Sequence, residues 1–250
     1  MNRRLRQTFF FFSAAALAVL FGFGYAALPH FGKVSSVYAN IVNAISVPQR
    51  HITDVVTAVN FDFRGFDTLG EEFILFTSVM GIALLMRRTK DEPAGDHEDR
   101  AQGRIVPAPS DAVRVVTLLL VAPTVLFGWY IIVHGQVTPG GGFQGGVILS
   151  SAPLLLYLCG SYPKFRGAAA PRMIEIAEAV GAAAYIIIGG ACVALGGLFL
   201  ENVLPLGKTG TLTSGGIVPF INLGVGLEVS GGFVLILIVY LEELMEEKES

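Results

Sequence analysis

Five carboxylates lie inside or at the edge of apolar runs: Glu71, Glu72, Glu175, Glu178 and Glu228. An ionisable side chain that faces lipid at membrane depth costs several kcal/mol, so each is a functional candidate by default. Burial tunes the proton affinity of a carboxylate, and its oxygens are hard ligands, so one group serves both proton exchange and sodium coordination. Glu71 and Glu72 are neighbours, about 100° apart on a helix, so only one of them is expected to face inward. A structural reading stands beside the functional one: Thr68 as N-cap with Glu71 three residues on makes a capping box. Glu175 and Glu178 share a helix face at a spacing of three. Glu175 reads as an acid favoured by a helix N-terminus, whereas Glu178 lies a turn deeper and is the better proton site. Glu228 sits among Gly224, Gly226, Gly231 and Gly232, with Asn222 six residues before it. A span beginning at Ile217 puts Glu228 at mid-membrane, and one beginning at Leu223 puts it at the outer boundary. His134 closes an apolar run, where it is either an interfacial hydrogen-bonding residue or a proton relay titrating near neutrality. Arg64 and Asp67, three apart, are placed to pair.

The glycine run Pro139-Gly140-Gly141-Gly142-Phe143-Gln144-Gly145-Gly146 is the most distinctive stretch. It fails as a phosphate loop, because no Lys-Ser or Lys-Thr follows and no strand precedes it. It works as a packing device: Gly141 and Gly145, and Gly142 and Gly146, are four apart and admit another backbone. Gln144 adds an amide beside them. With Gly189, Gly190, Gly196 and Gly197 further on, so many small faces point to partner subunits.

These groups need spanning helices to position them, and the composition supplies them. Of 250 residues, 53% are hydrophobic and only 15% charged, and the mean hydropathy is +0.63. An ordinary soluble domain carries about 25% charged residues. A net charge of −3 offers no field for nucleic acid, and two cysteines are too few for a disulfide scaffold or zinc cluster. Six apolar windows approach or reach the length of a spanning helix, at about 7–28, 69–86, 113–134, 142–160, 174–200 and 217–241. With both termini cytoplasmic, only Lys33, Arg50, Arg64 and Lys208 of the 17 basic residues fall outside, as the positive-inside rule requires. The fold expected is all-α, an integral membrane protein of six transmembrane helices with both termini cytoplasmic. The first window also resembles a signal peptide cleaved after Ala26, but its apolar run exceeds the roughly 7–15 residues usual for that class, which favours a retained span. The charged stretch Arg87–Arg100, with His97 as a loop residue, divides the chain into a two-helix module at 1–90, a cytoplasmic linker at 91–110 and a four-helix domain at 111–250. The stretch from Val34 to Ile45 is expected as a short surface helix.

Residues Tyr130 to Leu149, centred on His134-Gly135-Gln136-Val137-Thr138-Pro139-Gly140-Gly141-Gly142-Phe143-Gln144-Gly145-Gly146, closely resemble the signature of the B subunit of Mrp-type multisubunit sodium/proton antiporters. Thr213 to Val229 is similar to the last part of that domain. Val59-Asn60-Phe61-Asp62-Phe63-Arg64-Gly65-Phe66-Asp67-Thr68-Leu69-Gly70-Glu71 looks like the end of the large A-type component of those antiporters. The same piece is similar to the separate E-type component of membrane-bound hydrogenases. The resemblance implies a membrane subunit of a cation/proton antiporter complex in the cell (inner) membrane. Its implied partners are other subunits of the complex, Na+, H+ and the lipid bilayer. It also implies a functional Glu71, though Glu72 beside it departs from the pattern. The ion and proton path is then expected along Glu71, Glu72, Glu178, Glu228 and His134, with Pro139, Gly141, Gly142, Gln144, Gly145 and Gly146 at helix and subunit contacts. The alternative is the homologous subunit of a membrane-bound hydrogenase or related respiratory complex. No cofactor, metal site or independent enzyme activity is expected, since no nucleophile–base pair or cofactor fingerprint is present.

Overall fold

Every regular element is helical among the residues that the computed structural model describes, which are 3–28, 36–86, 109–159, 165, 167 and 170–246. The expected linker at 91–110, apart from Pro109 and Ser110, and His97 within it, lie outside them. The helices are α1 (Arg3–Ala26), α2 (Val37–Arg50), the single turn α3 (Val55–Ala58), α4 (Gly65–Leu85), α5 (Asp111–Val133), α6 (Gly142–Leu158), α7 (Pro171–Ala194) and α8 (Val218–Glu246). Five are long and apolar enough to cross a membrane: α1, α4, α5, α7 and α8. Helix α6 is apolar but shorter, at 17 residues.

The chain forms two units, Met1–Asn40 and Ile41–Ser250. In the first, α1 exposes every described side chain from Gln7 to Leu28, including Phe9, Phe10, Phe11 and Phe12. Such an all-round apolar surface suits a bilayer. In the second, α8 is the central column, with over half of its spanning window buried. Helices α6, α7 and α4 pack on α8, α5 packs on α6, and α4 also touches α7. The core runs down α8 through Val218, Ile221, Val225 and Val229 and reaches Phe61, Tyr185 and Leu200.

Helix ends depart from the apolar windows for local reasons. Helix α4 begins at Gly65, four residues before the expected start, because a π-helical turn over Val59–Phe63 delivers the chain to Arg64, the one break before the helix. Thr68 therefore lies within α4 and is buried, so the capping-box alternative for Thr68 and Glu71 is not what this helix start forms. Helix α7 starts at Pro171, whose missing N–H costs nothing at a first turn. It stops at Ala194, not at Leu200, because Gly196 adopts φ +91° and the Gly197 N–H closes back on the Cys192 carbonyl at 3.0 Å. Helix α8 runs beyond the apolar window into its acidic tail. The expected surface helix appears as α2, shifted toward Arg50, with Ser36 Oγ accepting from Ala39 N–H.

A hydrogen-bonded layer covers the end of the second unit where α4 and α8 begin. Asp54 caps α3 by accepting from Thr57 N–H. The Thr53 N–H donates to the Gln136 carbonyl at 3.1 Å, and Gln136 Nε2 donates to the Leu212 carbonyl at 2.6 Å. His51 Nδ1 bonds the Gly207 carbonyl at 2.6 Å.

Candidate functional site

Three helices each contribute one buried carboxylate. On α4 the buried positions are Gly65, Thr68, Glu72 and Val79, a stripe at spacings of three, four and seven that defines one face. Glu72 is 3% exposed, while its neighbour Glu71 lies on the exposed face. Of the two adjacent acids, the inward one within this chain is thus Glu72. On α7, Glu178 is 2% exposed and Glu175 is exposed. On α8, Glu228 is 1% exposed. Because α8 starts at Val218, Glu228 lies ten residues in, about 15 Å along the axis. Of the two depths open to Glu228, this is the mid-helix one.

Glycines bring these acids so close. A Cβ on Gly181 of α7 would collide with the Glu228 backbone, and one on Gly231 of α8 would meet the Glu178 nitrogen at 2.8 Å. Each glutamate backbone thus faces a glycine of the opposite helix. The contact of Gly224 with Ala184 continues the same seam, and small residues of this kind let helix backbones approach. A Cβ on Gly232 would lie 3.1 Å from Val79 and 3.6 Å from Glu178 Oε1, which brings α4 to the same place.

The carboxyls of Glu72 and Glu228 act directly on each other, and Glu228 also feels Glu178. The other charged group acting on Glu72 is again a carboxylate, that of Glu71. Glu72 Oε2, Glu178 Oε1 and both oxygens of Glu228 are buried without a hydrogen-bond partner. Buried carboxylates with no cation opposite them demand a proton or a cation for compensation. The order is Glu72, Glu228, Glu178. Carboxyls lean toward the N-terminus of their own helix, so Glu72 on α4 and Glu178 on the oppositely directed α7 point away from each other, with Glu228 between them.

The remaining candidates fall elsewhere. His134 Nδ1 bonds the Tyr130 carbonyl one turn back at 2.9 Å, and its ring stacks on Tyr130 at 4.0 Å. These are local contacts, which favour the interfacial reading over the relay. Gly142 and Gly146 face α8, where Cβ atoms would strike the Asn222 carbonyl and Val229, and Gly145 faces Ile132 and the Gly128 carbonyl of α5. Of the helix and subunit contacts expected of this run, the faces of Gly142, Gly145 and Gly146 are helix contacts filled by the same chain. Gly141 takes φ +121° to turn the chain into α6. Pro139 and Gln144 are exposed. The amide that serves this turn is that of Asn222, whose Oδ1 accepts from Gly142 N–H at 2.9 Å. Arg64 and Asp67 pair as their spacing implies.

Sequence reasoning missed a second polar cluster. Asp62, with its side chain 2% exposed, pairs with Arg50 Nε at 2.9 Å. Asn202 Nδ2 donates to Asp62 Oδ1 at 3.2 Å and to the Gly215 carbonyl, and its Oδ1 accepts from Ile217 N–H. Burial pushes the Asp62 carboxyl above its ordinary value, against the opposing pull of Arg50 and the Asn202 hydrogen bond. The cluster joins the turn before α4 to the loop before α8. Its only sequence signal was an acid just outside an apolar window. Tyr185 was also missed; it is 1% exposed and donates to the Gly65 carbonyl at 2.7 Å.

Known proteins carry the same framework. Residues 112–235 match the family described as a domain related to the MnhB subunit of Na+/H+ antiporter, and residues 3–102 match the MbhE family, the E component of MBH. An uncharacterized protein of Methanocaldococcus jannaschii is 30% identical over 76% of this chain and 78% of its own length. A probable K(+)/H(+) antiporter A/B component of Rhizobium meliloti is 29% identical over 43% of this chain, but the match spans only 12% of that protein. Among solved structures, a chain of the membrane-bound sulfane sulfur reductase, an archaeal respiratory membrane complex, aligns over 95% of this chain and 98% of its own. The TM-score there is 0.68 and the identity 29%.

Proposed function

The chain belongs to the family of multi-pass membrane proteins built on a domain related to the MnhB subunit of Na+/H+ antiporters, and from that membership we propose how it works. It is a subunit of a multisubunit monovalent cation/proton antiporter complex in the cell membrane, and it contributes a segment of the hydrophilic path. The observation that carries this reading is the file of Glu72, Glu228 and Glu178, drawn from three helices and buried with four partnerless oxygens. Protons or sodium ions passing along the file supply the compensation that the protein itself withholds. Six spans with both termini cytoplasmic, α6 being the short one, put Glu72 nearest the outside and Glu178 nearest the cytoplasm.

Glu71 has a separate part. It points away from this chain's own core, at a depth where lipid would not tolerate it. A neighbouring subunit covers that face of α4, so Glu71 lies between subunits while Glu72 lies within this one. The module at 1–90 and the domain at 111–250 are thereby joined through α4 on α8. In everted vesicles holding the full complex, Glu72→Gln is expected to abolish cation-dependent proton flux while assembly persists. Unchanged flux would remove the file from the mechanism.

A second reading has its own observation. The respiratory membrane complex is matched along nearly the whole of its chain, and the N-terminal residues match a component of MBH. The same polypeptide then couples ion movement to a redox module. Co-purification of nickel- or iron–sulfur-containing subunits with this chain decides for that setting. Their absence from an intact, active complex decides for the antiporter.

A further inference from the structure

We propose that Tyr185 is a positioning residue for the carboxylate file: its hydroxyl, bound to the Gly65 carbonyl, pins the rotation and height of α4 so that Glu72 rather than Glu71 faces inward. The proposal rests on the functional reading of the file given above.

The bond is made to backbone, so it fixes the helix and not merely a rotamer. Gly65 is the first residue of α4, and its carbonyl has a second lone pair available beside the ordinary helical bond. Tyr185 is among the largest fully buried side chains, and its ring lies 6.4 Å from that of Phe61. Both ends of the tie are therefore held in the core.

Helices α4 and α7 run in opposite directions, since Gly65 meets Tyr185 at one end while Val79 and Glu178 both approach Gly232 at the other. From the tie, Glu72 is seven residues onward along α4 and Glu178 is seven residues back along α7. Seven residues are nearly two turns, about 10 Å, so each glutamate lies on the same helix face as its end of the tie. The geometry is unforgiving because two glutamates are adjacent. A slip of one residue moves α4 by about 1.5 Å and turns it by about 100°. That motion would carry Glu72 off the file and bring Glu71 onto it. The other ties near the start of α4, from Asp62 to Arg50 and Asn202, lie before the break at Arg64 and hold the entering turn, not the helix.

Tyr185→Phe keeps the ring and deletes the hydroxyl, so the packing is retained. It is to be tested in the full complex in everted vesicles, with flux normalised to assembled complex and followed across pH, beside Glu72→Gln. The expected result is a loss of flux per complex of about fivefold, the factor corresponding to one net hydrogen bond, together with a displaced pH profile. A purely structural tyrosine would lower the amount of complex and leave flux per complex and its pH profile as they are. That outcome, with Glu72→Gln inactive, overturns the proposal and spares the functional reading. An active Glu72→Gln overturns both.

Discussion

Two seams in this molecule use glycine in the same way and for opposite ends. Where α6 meets α5 and α8, Gly142, Gly145 and Gly146 let the backbones touch. The backbone donors of the turn there find partners, Gly142 N–H at Asn222 Oδ1 and Gly141 N–H at the Ile131 carbonyl at 3.2 Å, while Asn222 Nδ2 is buried without one. Where α7 meets α8, Gly181 and Gly231 allow an equally close approach, but the residues opposite them are Glu228 and Glu178. There four carboxylate oxygens, counting that of Glu72, stay without partners. Close packing with its backbone donors satisfied and no carboxylate opposite makes a structural joint. Close packing around unsatisfied carboxylates excludes water and lipid from groups that need a proton or a cation for compensation. The glycine is thus not the functional signal; what faces it is.

The largest effects are expected from filling either seam. Gly142→Val drives a side chain into Val225 and the Asn222 carbonyl, and Gly181→Val drives one into the Glu228 backbone. Overpacking of this kind costs about 1–3 kcal/mol or more, so both variants should lose assembled complex on native gels. Gly70→Ala, with nothing near its Cβ, should be indistinguishable from the parent. Equal behaviour of all three would undo the distinction between closed and open glycines.

Next in size are changes that separate the seams. Asn222→Leu strands the Gly142 N–H, a loss of about 1–3 kcal/mol, visible as a lower Tm of the purified complex. Glu178→Gln should leave Tm unchanged or higher, since it removes a carboxylate with an unpartnered oxygen, yet reduce flux. Should Asn222→Leu impair flux per complex while Glu178→Gln does not, the roles assigned to the two seams are reversed.

The smallest effect is expected at the second polar cluster. Burial raises the Asp62 carboxyl above its ordinary 3.8, so the folded protein holds that proton more readily than the unfolded chain. The linked stability is fully present below the unfolded value and is lost as pH rises through the raised folded value. Asp62→Asn should flatten that part of the dependence of Tm on pH. A slope that persists in the variant would assign it to another group.

Much of this framework was legible in the sequence. Apolar runs placed the long helices in order, because a bilayer leaves few alternatives, although five of the six expected spans reach spanning length and α6 is shorter. Their ends were less legible, since a π-turn before Gly65, a proline at 171 and a left-handed Gly196 act locally and leave hydropathy unchanged. Glu178 and Glu228 stood out as acids in apolar company. The choice between Glu71 and Glu72 was not readable, because neighbours 100° apart are separated only by what the helix packs against. The glycine run was readable as a contact surface, but not its occupant: nothing local distinguishes a glycine facing α8 of the same chain from one facing another polypeptide. Tyr185 gave no signal, for tyrosines are common in membrane helices and its partner is a backbone carbonyl 120 residues away.

Glu228 lies between the other two acids, so its neutral analogue tests the file most directly. Glu228→Gln in the complete complex, with cation-dependent proton flux in everted vesicles measured per assembled complex, is predicted to assemble normally and carry no coupled flux. Normal assembly with flux equal to that of the parent would contradict the account.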